Sequence, residues 1–198
     1  METTREAAKG RMTEAASMTE TAKENRSKII GNSITETPQT IRIVPAYDFP
    51  EEISALFAEY TDMLIAGDPS FQQYLNLQHY DEEVKHLELK YGMPFGRLYL
   101  AYCGEEAAGC IGLRKVDQQC CEMKRLYVRP KFRGAHVGRL LVRQIISDAK
   151  EIGYSCMLLD TLPFLEHAIH MYKTFGFYET ERYNNSPMDT TIYMRLDL

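Results

Sequence analysis

The order of strands and helices expected along the chain predicts an α/β fold, with a mixed sheet packed against helices rather than a doubly wound one. Two observations carry this prediction. Hydrophobic periodicity alternates between strand and helix spacing in the order β-α-α-β-β-β-α-β-α-β-β. The stretch over 155–160 is short and apolar, which is typical of a central strand in a sheet. With 198 residues, the chain is long enough for one domain with a full core.

The first part of the chain differs in composition from the rest. Residues 1–38 are rich in Thr, Glu, Ala and Lys, contain no aromatic residue and carry charges that cancel. Such a segment cannot bury enough apolar area to offset its ordering entropy. We therefore predict a disordered N-terminal tail over 1–38 and a folded domain over 39–198. A helix within the tail that binds a partner is the alternative.

The bounds of the elements follow from Pro and Gly residues that interrupt the apolar periodicity. Pro45 ends the first strand, and Gly67-Asp68-Pro69 ends the first helix. Gly104-Glu105 predicts a hairpin turn, and Gly153 and Gly176 end the last two helices. The predicted strands are 41–44, 98–103, 107–115, 119–129, 155–160, 177–183 and 190–196. The predicted helices are 50–66, pieces of 71–90, 135–152 and 163–175.

The stretch over 121–141 predicts an anion-binding site. A strand ends at Val128, and a basic turn containing Arg133 and Gly134 leads directly into a helix. The first backbone amides of a helix lack intrahelical acceptors, and the helix dipole favours negative charge there. Because amides of such a turn can also form a nest for phosphate, residues 133–138 are expected to bind a phosphorylated ligand. The chain has neither a GxGxxG nor a GxxxxGK[ST] motif, so dinucleotide and P-loop sites are unsupported.

Two motifs resemble those of the GNAT superfamily, the acyl-CoA-dependent N-acetyltransferases. The family's pyrophosphate loop, Arg/Gln-x-x-Gly-x-Gly/Ala, is similar to Arg133-Gly-Ala-His136-Val-Gly138, with His136 at the central glycine position. The family's helix signature, A-x-x-x-Y-x-x-x-G-F, is similar to the stretch over 168–177. The resemblance covers about 39–198 and points to a bacterial-type branch of mostly unassigned substrates. It implies a mostly antiparallel sheet of six to seven strands, with helices on both faces and a splay between the fourth and fifth strands.

The resemblance also implies which residues bind acetyl-CoA. We expect helical backbone angles at His136, so that its amide can still donate to phosphate. Alternation along the strand predicts that Glu122, Lys124, Leu126 and Val128 share one face. The residues expected to bind the coenzyme are Leu126, Tyr127, Val128, Arg133, Gly134, Ala135, His136, Val137, Gly138 and Arg139.

Two residues are candidates for proton transfer by match to the family. Glu122 matches the strand glutamate that serves as general base in histone-type members. The alternatives are that Glu122 pairs with Lys124 or Arg114, and that ordered water deprotonates the amine. Tyr172 matches the helix tyrosine that serves as general acid for the thiolate of CoA, with a core tyrosine as the alternative.

The expected function is transfer of an acetyl group from acetyl-CoA to a primary amine, by direct attack in a ternary complex. A small-molecule acceptor is favoured; the alternatives are a protein lysine or N-terminal amine, and a non-catalytic acyl-CoA-binding sensor. A homodimer through the last strands is implied by the resemblance alone.

Composition and spacing argue against several other classes. The net charge of −5 argues against a nucleic-acid partner. No apolar run reaches the roughly 20 residues that span a bilayer, so we expect no membrane association and a cytoplasmic location. His167 and His170 lack further ligands for a metal ion, and no metal site is expected. The five cysteines form no CxxC motif, and four of them lie in apolar runs, so buried free thiols are expected.

Overall fold

The structure, a computed structural model, describes residues 40–72, 80–186 and 188–198. The predicted tail over 1–38 and the middle of the helical region over 71–90 lie outside the described residues. The strands are β1 Ile41–Pro45, β2 Arg97–Cys103, β3 Glu106–Lys115, β4 Cys120–Val128, β5 Cys156–Thr161, β6 Tyr178–Glu179 and β7 Ile192–Asp197. The helices are α1 Pro50–Gly67, α2 Tyr80–Lys85, α3 Leu87–Tyr91, α4 Val137–Ile152 and α5 Glu166–Thr174, with a 3-10 turn over Pro130–Phe132.

The described strands form one mixed sheet in the order β1-β2-β3-β4-β5-β7-β6. Each pair of neighbours is antiparallel except β4 and β5, which are parallel. These two strands pair over three residues, Cys120 to Glu122 against Cys156 to Leu158, and then separate. The mixed, mostly antiparallel sheet and its splay between the fourth and fifth strands are therefore confirmed.

Helices cover both faces of this sheet, as predicted. On one face, the apolar stripe of α4, which includes Leu141 and Ile145, packs with Met157 and Tyr172 into one buried cluster. On the other face, Phe57 of α1 packs with Tyr91 of α3 and residues of β2 and β3. The periodicity of α1 and α4 is thus explained, because each helix buries one stripe against the sheet.

A β-bulge changes the direction of side chains in the middle of β4. Cys110 of β3 pairs with Tyr127, whereas Gly112 pairs with Lys124, so one extra residue of β4 lies between these pairs. Arg125 adopts a left-handed conformation there, with φ of 57°. The prediction that Glu122 and Lys124 share a face with Leu126 and Val128 was wrong, because a bulge shifts the alternation by one residue.

The side chains before and after the bulge show this shift. Cys121 and Met123 belong to the cluster under α4, and Leu126 and Val128 pack against the same cluster. Tyr127 belongs to the cluster under α1. Glu122 and Lys124 therefore face the α1 side of the sheet, together with Arg125 and Tyr127.

Several elements differ in length from the predictions. Helix α5 begins at Glu166 rather than Pro163, and β6 spans two residues rather than seven. Helices α2 and α3 are interrupted at His86. Local periodicity cannot set such bounds, because they depend on which residues find partners in the sheet.

The cysteine prediction was partly wrong. Cys103, Cys110 and Cys121 are buried free thiols, as expected. Cys120 and Cys156, however, form a disulfide that joins the paired ends of β4 and β5. These two residues are 36 positions apart in sequence and lie directly opposite each other in the sheet, a relationship that only the register creates.

In the described part of the chain, no helix is long and apolar enough to span a membrane.

Candidate functional site

The turn before α4 presents backbone amides to solvent. The backbone hydrogen-bond ladder of α4 starts where Leu140 donates to His136 at 3.0 Å. Five amides have no backbone acceptor within the described residues, namely those of Gly134, His136, Val137, Gly138 and Arg139. Residues 133–136 are exposed. A row of donors without backbone acceptors, at the N-terminus of a 16-residue helix and beside an exposed turn, fits a phosphate or diphosphate group.

The conformation of His136 differs from the prediction. His136 is the N-cap of α4 and adopts left-handed angles, φ 63° and ψ 9°, instead of helical ones. This conformation favours glycine, which explains why the family's loop has glycine at this position. A histidine is tolerated more readily here than a branched residue. Gly134 is also left-handed, with φ of 86°, and a Cβ added there would meet no atom within 4 Å.

Two arginines flank the exposed amides. The guanidinium of Arg133 donates to the carbonyl of Val128 at 3.2 Å, and that of Arg139 donates to the hydroxyl of Thr174 at 3.1 Å. Both arginines are exposed. They place positive charge beside the turn.

A cleft opens where β4 and β5 separate. The carboxyl-terminal half of β4 has no strand partner on this side. Because Arg129 donates its amide to Ala108 of β3, the alternating amides of Leu126 and Val128 point towards the gap, and that of Tyr127 points towards β3. The cleft is lined by Tyr60, Leu64, Phe71, Met123, Lys124, Arg125, Leu126, Leu159, Asp160, Thr161, Leu162, Leu165, Tyr172 and Thr191.

Tyr172 lies where the cleft meets the core. It belongs to the cluster under α4, its ring lies 5.8 Å from that of Phe177, and it also lines the cleft. Burial raises the pKa of the Tyr172 phenol well above its ordinary value, and the nearby Tyr60 and Asp160 raise it further. The phenol therefore keeps its proton at neutral pH and can act as a hydrogen-bond donor.

Glu122 lies behind the cleft and is fully buried. Its carboxylate accepts hydrogen bonds from the guanidinium of Arg114 and from the hydroxyl of Tyr183, the latter at 2.8 Å. Lys124 lies 3.4 Å from the same carboxylate. Glu122 is therefore held by side chains around it and does not line the cleft, and its role as a base stays a prediction.

Asp160 is a candidate residue that the sequence reasoning did not assign. It lies near the end of β5, lines the cleft and accepts from Lys124 at 3.0 Å and from Asn184 at 3.1 Å. Lys124 thus bridges Glu122 and Asp160. The only signal in the sequence was one carboxylate at the carboxyl end of an apolar strand.

A second charged group lies beside the cleft. Arg125, at the bulge, forms two hydrogen bonds of 2.8 Å to Glu83 of α2, and the hydroxyl of Tyr91 donates to Glu83 at 2.6 Å. Burial alone would raise the pKa of Glu83, but the hydrogen bonds and charge of Arg125, with Lys90, lower it well below its ordinary value. The ion pair fixes the bulge that directs Leu126 towards the cleft.

No group of three or more His, Cys, Asp or Glu residues within 40–72, 80–186 and 188–198 could hold a metal ion. Cys121, the free thiol nearest Glu122 in sequence, is buried, and burial raises its pKa to about 12. A thiol with this pKa is a poor nucleophile at neutral pH.

Two solved structures share this arrangement of strands and helices. An acetyltransferase from Streptococcus agalactiae is 19% identical with a TM-score of 0.65, over 81% of this chain and 99% of that chain. An acetyltransferase from Bacillus subtilis, solved in complex with CoA, is 22% identical with a TM-score of 0.58, over 80% of this chain and 99% of that chain. At these identities, the likeness shows a common fold.

Sequence comparison gives relatives of higher identity. An uncharacterised N-acetyltransferase of Schizosaccharomyces pombe is 43% identical over 130 residues, which cover 65% of this chain and 80% of that protein. An uncharacterised N-acetyltransferase of Dictyostelium discoideum is 31% identical and covers 80% of this chain and 99% of that protein. Residues 55–177 match the Acetyltransferase (GNAT) family. The chain therefore belongs to the GNAT family of acetyltransferases.

Proposed function

We propose that this protein transfers an acetyl group from acetyl-CoA to the primary amine of a small molecule, by direct attack in a ternary complex. One observation carries the proposal: the exposed amides before α4 lie at the end of the strand that separates from β5. A chain with this geometry and in this family has a place for the diphosphate of the coenzyme and a gap for its thioester arm.

The diphosphate of CoA would bind the amides of Gly134 and of residues 136–139. The N-cap position of His136 supports this part of the proposal, because the amide of an N-cap residue lies outside the hydrogen-bond ladder of the helix. The side chains of Arg133 and Arg139 would add positive charge. The structurally similar Bacillus subtilis acetyltransferase was solved in complex with CoA, which supports CoA as the ligand class.

The thioester would lie in the gap between β4 and β5. There the amides of Leu126 and Val128 would hold the arm of the coenzyme and polarise the thioester carbonyl, as fixed donors in a site with little water. The disulfide between Cys120 and Cys156 holds the two strands together at the closed end of the gap.

The transfer itself needs two proton movements. The amine nitrogen attacks the carbonyl carbon, a C–N bond forms and the C–S bond breaks. The sulfur of CoA receives a proton, for which we propose the phenol of Tyr172, and the nitrogen loses one. We propose ordered water in the cleft as the acceptor of that proton, because Glu122 is buried behind Lys124 and already accepts from Arg114 and Tyr183.

The proposal is tested with purified protein, acetyl-CoA and a panel of amines, amino acids and peptides. We expect thiol release with at least one small primary amine, and a mass increase of one acetyl group on that amine. Calorimetric titration with CoA serves as the binding control. Absence of CoA binding would overturn the proposal. Binding without thiol release from any acceptor would favour the sensor, and release with peptides alone would favour a protein acceptor.

A further inference from the structure

We propose that Phe164 is a positioning residue that holds the acceptor end of the cleft at a fixed width, because its ring rests against the Cα of Gly67. The contact would then limit the size of the amine that the protein accepts. This inference rests on the proposed function, since it concerns the specificity of the same site.

The contact itself leaves no room for a side chain at position 67. Gly67 is the last residue of α1, and a Cβ added there would lie 2.5 Å from Cζ of Phe164 and 2.6 Å from Cε2. Carbon atoms that are not bonded to each other pack at about 3.5–4.0 Å. An alanine at this position would therefore displace the tip of the ring by about 1 Å.

The backbone gives no separate reason for glycine at this position. Gly67 is not one of the described glycines with positive φ, and alanine favours a helix more than glycine does. The side chain of Phe164 is 41% exposed and belongs to none of the buried clusters formed by the described residues. Neither residue is thus explained by the helix or by the core, which leaves their contact with each other.

The contact joins two segments that supply apolar walls of the cleft. On each segment, residues before and after the contact line the cleft, namely Leu64 and Phe71 around Gly67, and Leu162 and Leu165 around Phe164. The separation of the two segments at the mouth of the cleft is therefore set where the ring meets the end of α1.

Backbone hydrogen bonds tie the wall residues to the contact. After Gly67, the amide of Asp68 donates to Leu64 at 2.9 Å, and the amide of Phe71 donates to Asp68 at 3.0 Å. On the other segment, the amide of Leu165 donates to Leu162 at 3.0 Å and closes a turn around Phe164. A displacement at the contact would thus reach the residues that line the cleft on both sides.

These walls are available to the acceptor. The proposed contacts of the coenzyme come from β4 and from the turn before α4, whereas the walls come from the end of α1 and from the segment between β5 and α5. A wider separation of the walls should therefore admit a bulkier amine and leave CoA binding unchanged.

The first experiment compares the wild type, Gly67→Ala, Phe164→Leu and the double variant. It measures kcat and KM for butylamine, hexylamine, 2-phenylethylamine and 1-naphthylmethylamine at saturating acetyl-CoA. We expect Gly67→Ala to raise the ratio of kcat/KM for 1-naphthylmethylamine to that for butylamine roughly tenfold, as for one methylene in an apolar pocket. The change should lie in KM, with CoA affinity unchanged.

The double variant separates the contact from other effects of the alanine. Leucine is shorter than phenylalanine and leaves space for the added Cβ, so Gly67→Ala should not change the ratio in the Phe164→Leu background. Phe95→Leu is the matched control, because Phe95 is 50% exposed and does not line the cleft; it should keep the wild-type ratio. An equal shift by Gly67→Ala in both backgrounds, or no shift with Phe164 present, would overturn the inference alone.

Thermal unfolding of the same four proteins tests the contact without a substrate. Gly67→Ala should raise Tm more in the Phe164→Leu background than in the wild type, because the helix gains alanine there without displacing a ring. Additive changes in Tm would overturn the inference. Failure of the wild type to acetylate any small amine would overturn the inference and the proposed function together.

Discussion

The carboxylate of Glu83 accepts two hydrogen bonds of 2.8 Å from the guanidinium of Arg125, across 42 residues of sequence. Both side chains are almost fully buried. Arg125 is also the residue that adopts left-handed angles in the middle of β4. A conformation of this kind persists in a non-glycine residue when its surroundings determine it. The ion pair therefore fixes a bulge within the part of β4 that lines the cleft.

Glu83→Gln should destabilise the protein by about 3–5 kcal/mol, because it leaves the charge of Arg125 buried without its partner. Urea unfolding at pH 7 measures this change. Glu59→Gln is the matched control, since Glu59 pairs with Arg129 but is 38% exposed, and it should cost about 1 kcal/mol or less. Equal losses in the two variants would contradict this account.

The same ion pair predicts a pH dependence. The pKa of Glu83 is lower in the folded state than in the unfolded state. Its contribution to the free energy of unfolding is therefore complete above the pKa of the unfolded state, which is about 4.3. The contribution is lost as the pH falls towards the folded value. The wild-type free energy of unfolding should therefore fall from pH 5 to pH 2 more steeply than that of Glu83→Gln. Parallel curves for the two proteins would exclude this contribution.

His136→Gly should keep CoA affinity and change the free energy of unfolding by less than about 1 kcal/mol, because relief of the left-handed conformation offsets the flexibility of glycine. His136→Val should lower stability by about 1–2 kcal/mol and weaken CoA binding, since a branched residue resists positive φ. Thermal unfolding and calorimetry measure both effects. His170→Val, at an exposed position of α5, is the control; equal effects at the two sites would remove the conformational explanation.

Tyr172→Phe should lower kcat by about 100-fold, as for loss of a general acid, and leave CoA affinity nearly unchanged because the ring is retained. Since burial keeps the pKa of Tyr172 above its ordinary value, the variant should not alter any limb of the pH–rate profile below about pH 10. Steady-state kinetics and calorimetry test this split. Tyr178→Phe, on the exposed strand β6, should behave as the wild type, and an equal loss of binding and turnover in Tyr172→Phe would discard the acid role.

Glu122→Gln should lower kcat/KM while the acidic limb of its pH profile remains, because the amine still has to lose its proton to water. The loss would come from Lys124, which no longer has a second carboxylate to fix it beside Asp160. A pH profile of kcat/KM from pH 5 to 9 measures this. Disappearance of the acidic limb would identify Glu122 as the base instead.

Replacement of Cys120 and Cys156 by alanine should destabilise the protein by about 3–4 kcal/mol, since the disulfide closes a loop of 36 residues in the unfolded chain. Urea unfolding with and without a reductant provides the measurement. Reductant should lower the stability of the wild type to near that of the double variant and leave the variant unchanged. A wild type insensitive to reductant under unfolding conditions would argue against the bridge.

The sequence by itself determined the element order, the hairpin at Gly104 and the turn that leads into α4. These features are local, because periodicity, turn residues and the unpaired amides at a helix N-terminus depend on neighbours in the chain. The same locality made the match of the loop at 133–138 and the helix at 168–177 to the GNAT family recognisable before the fold was known.

Only the tertiary structure decided the left-handed angles of His136, the bulge at Arg125, the disulfide and the position of Asp160 in the cleft. Each depends on residues far apart in sequence, or on how a segment is held by its surroundings. The partners of Glu122 illustrate the point, since Tyr183 lies 61 residues away and reaches the carboxylate through the packing of the sheet. A strand pattern specifies which residues alternate, but a bulge and a register specify which side chains meet.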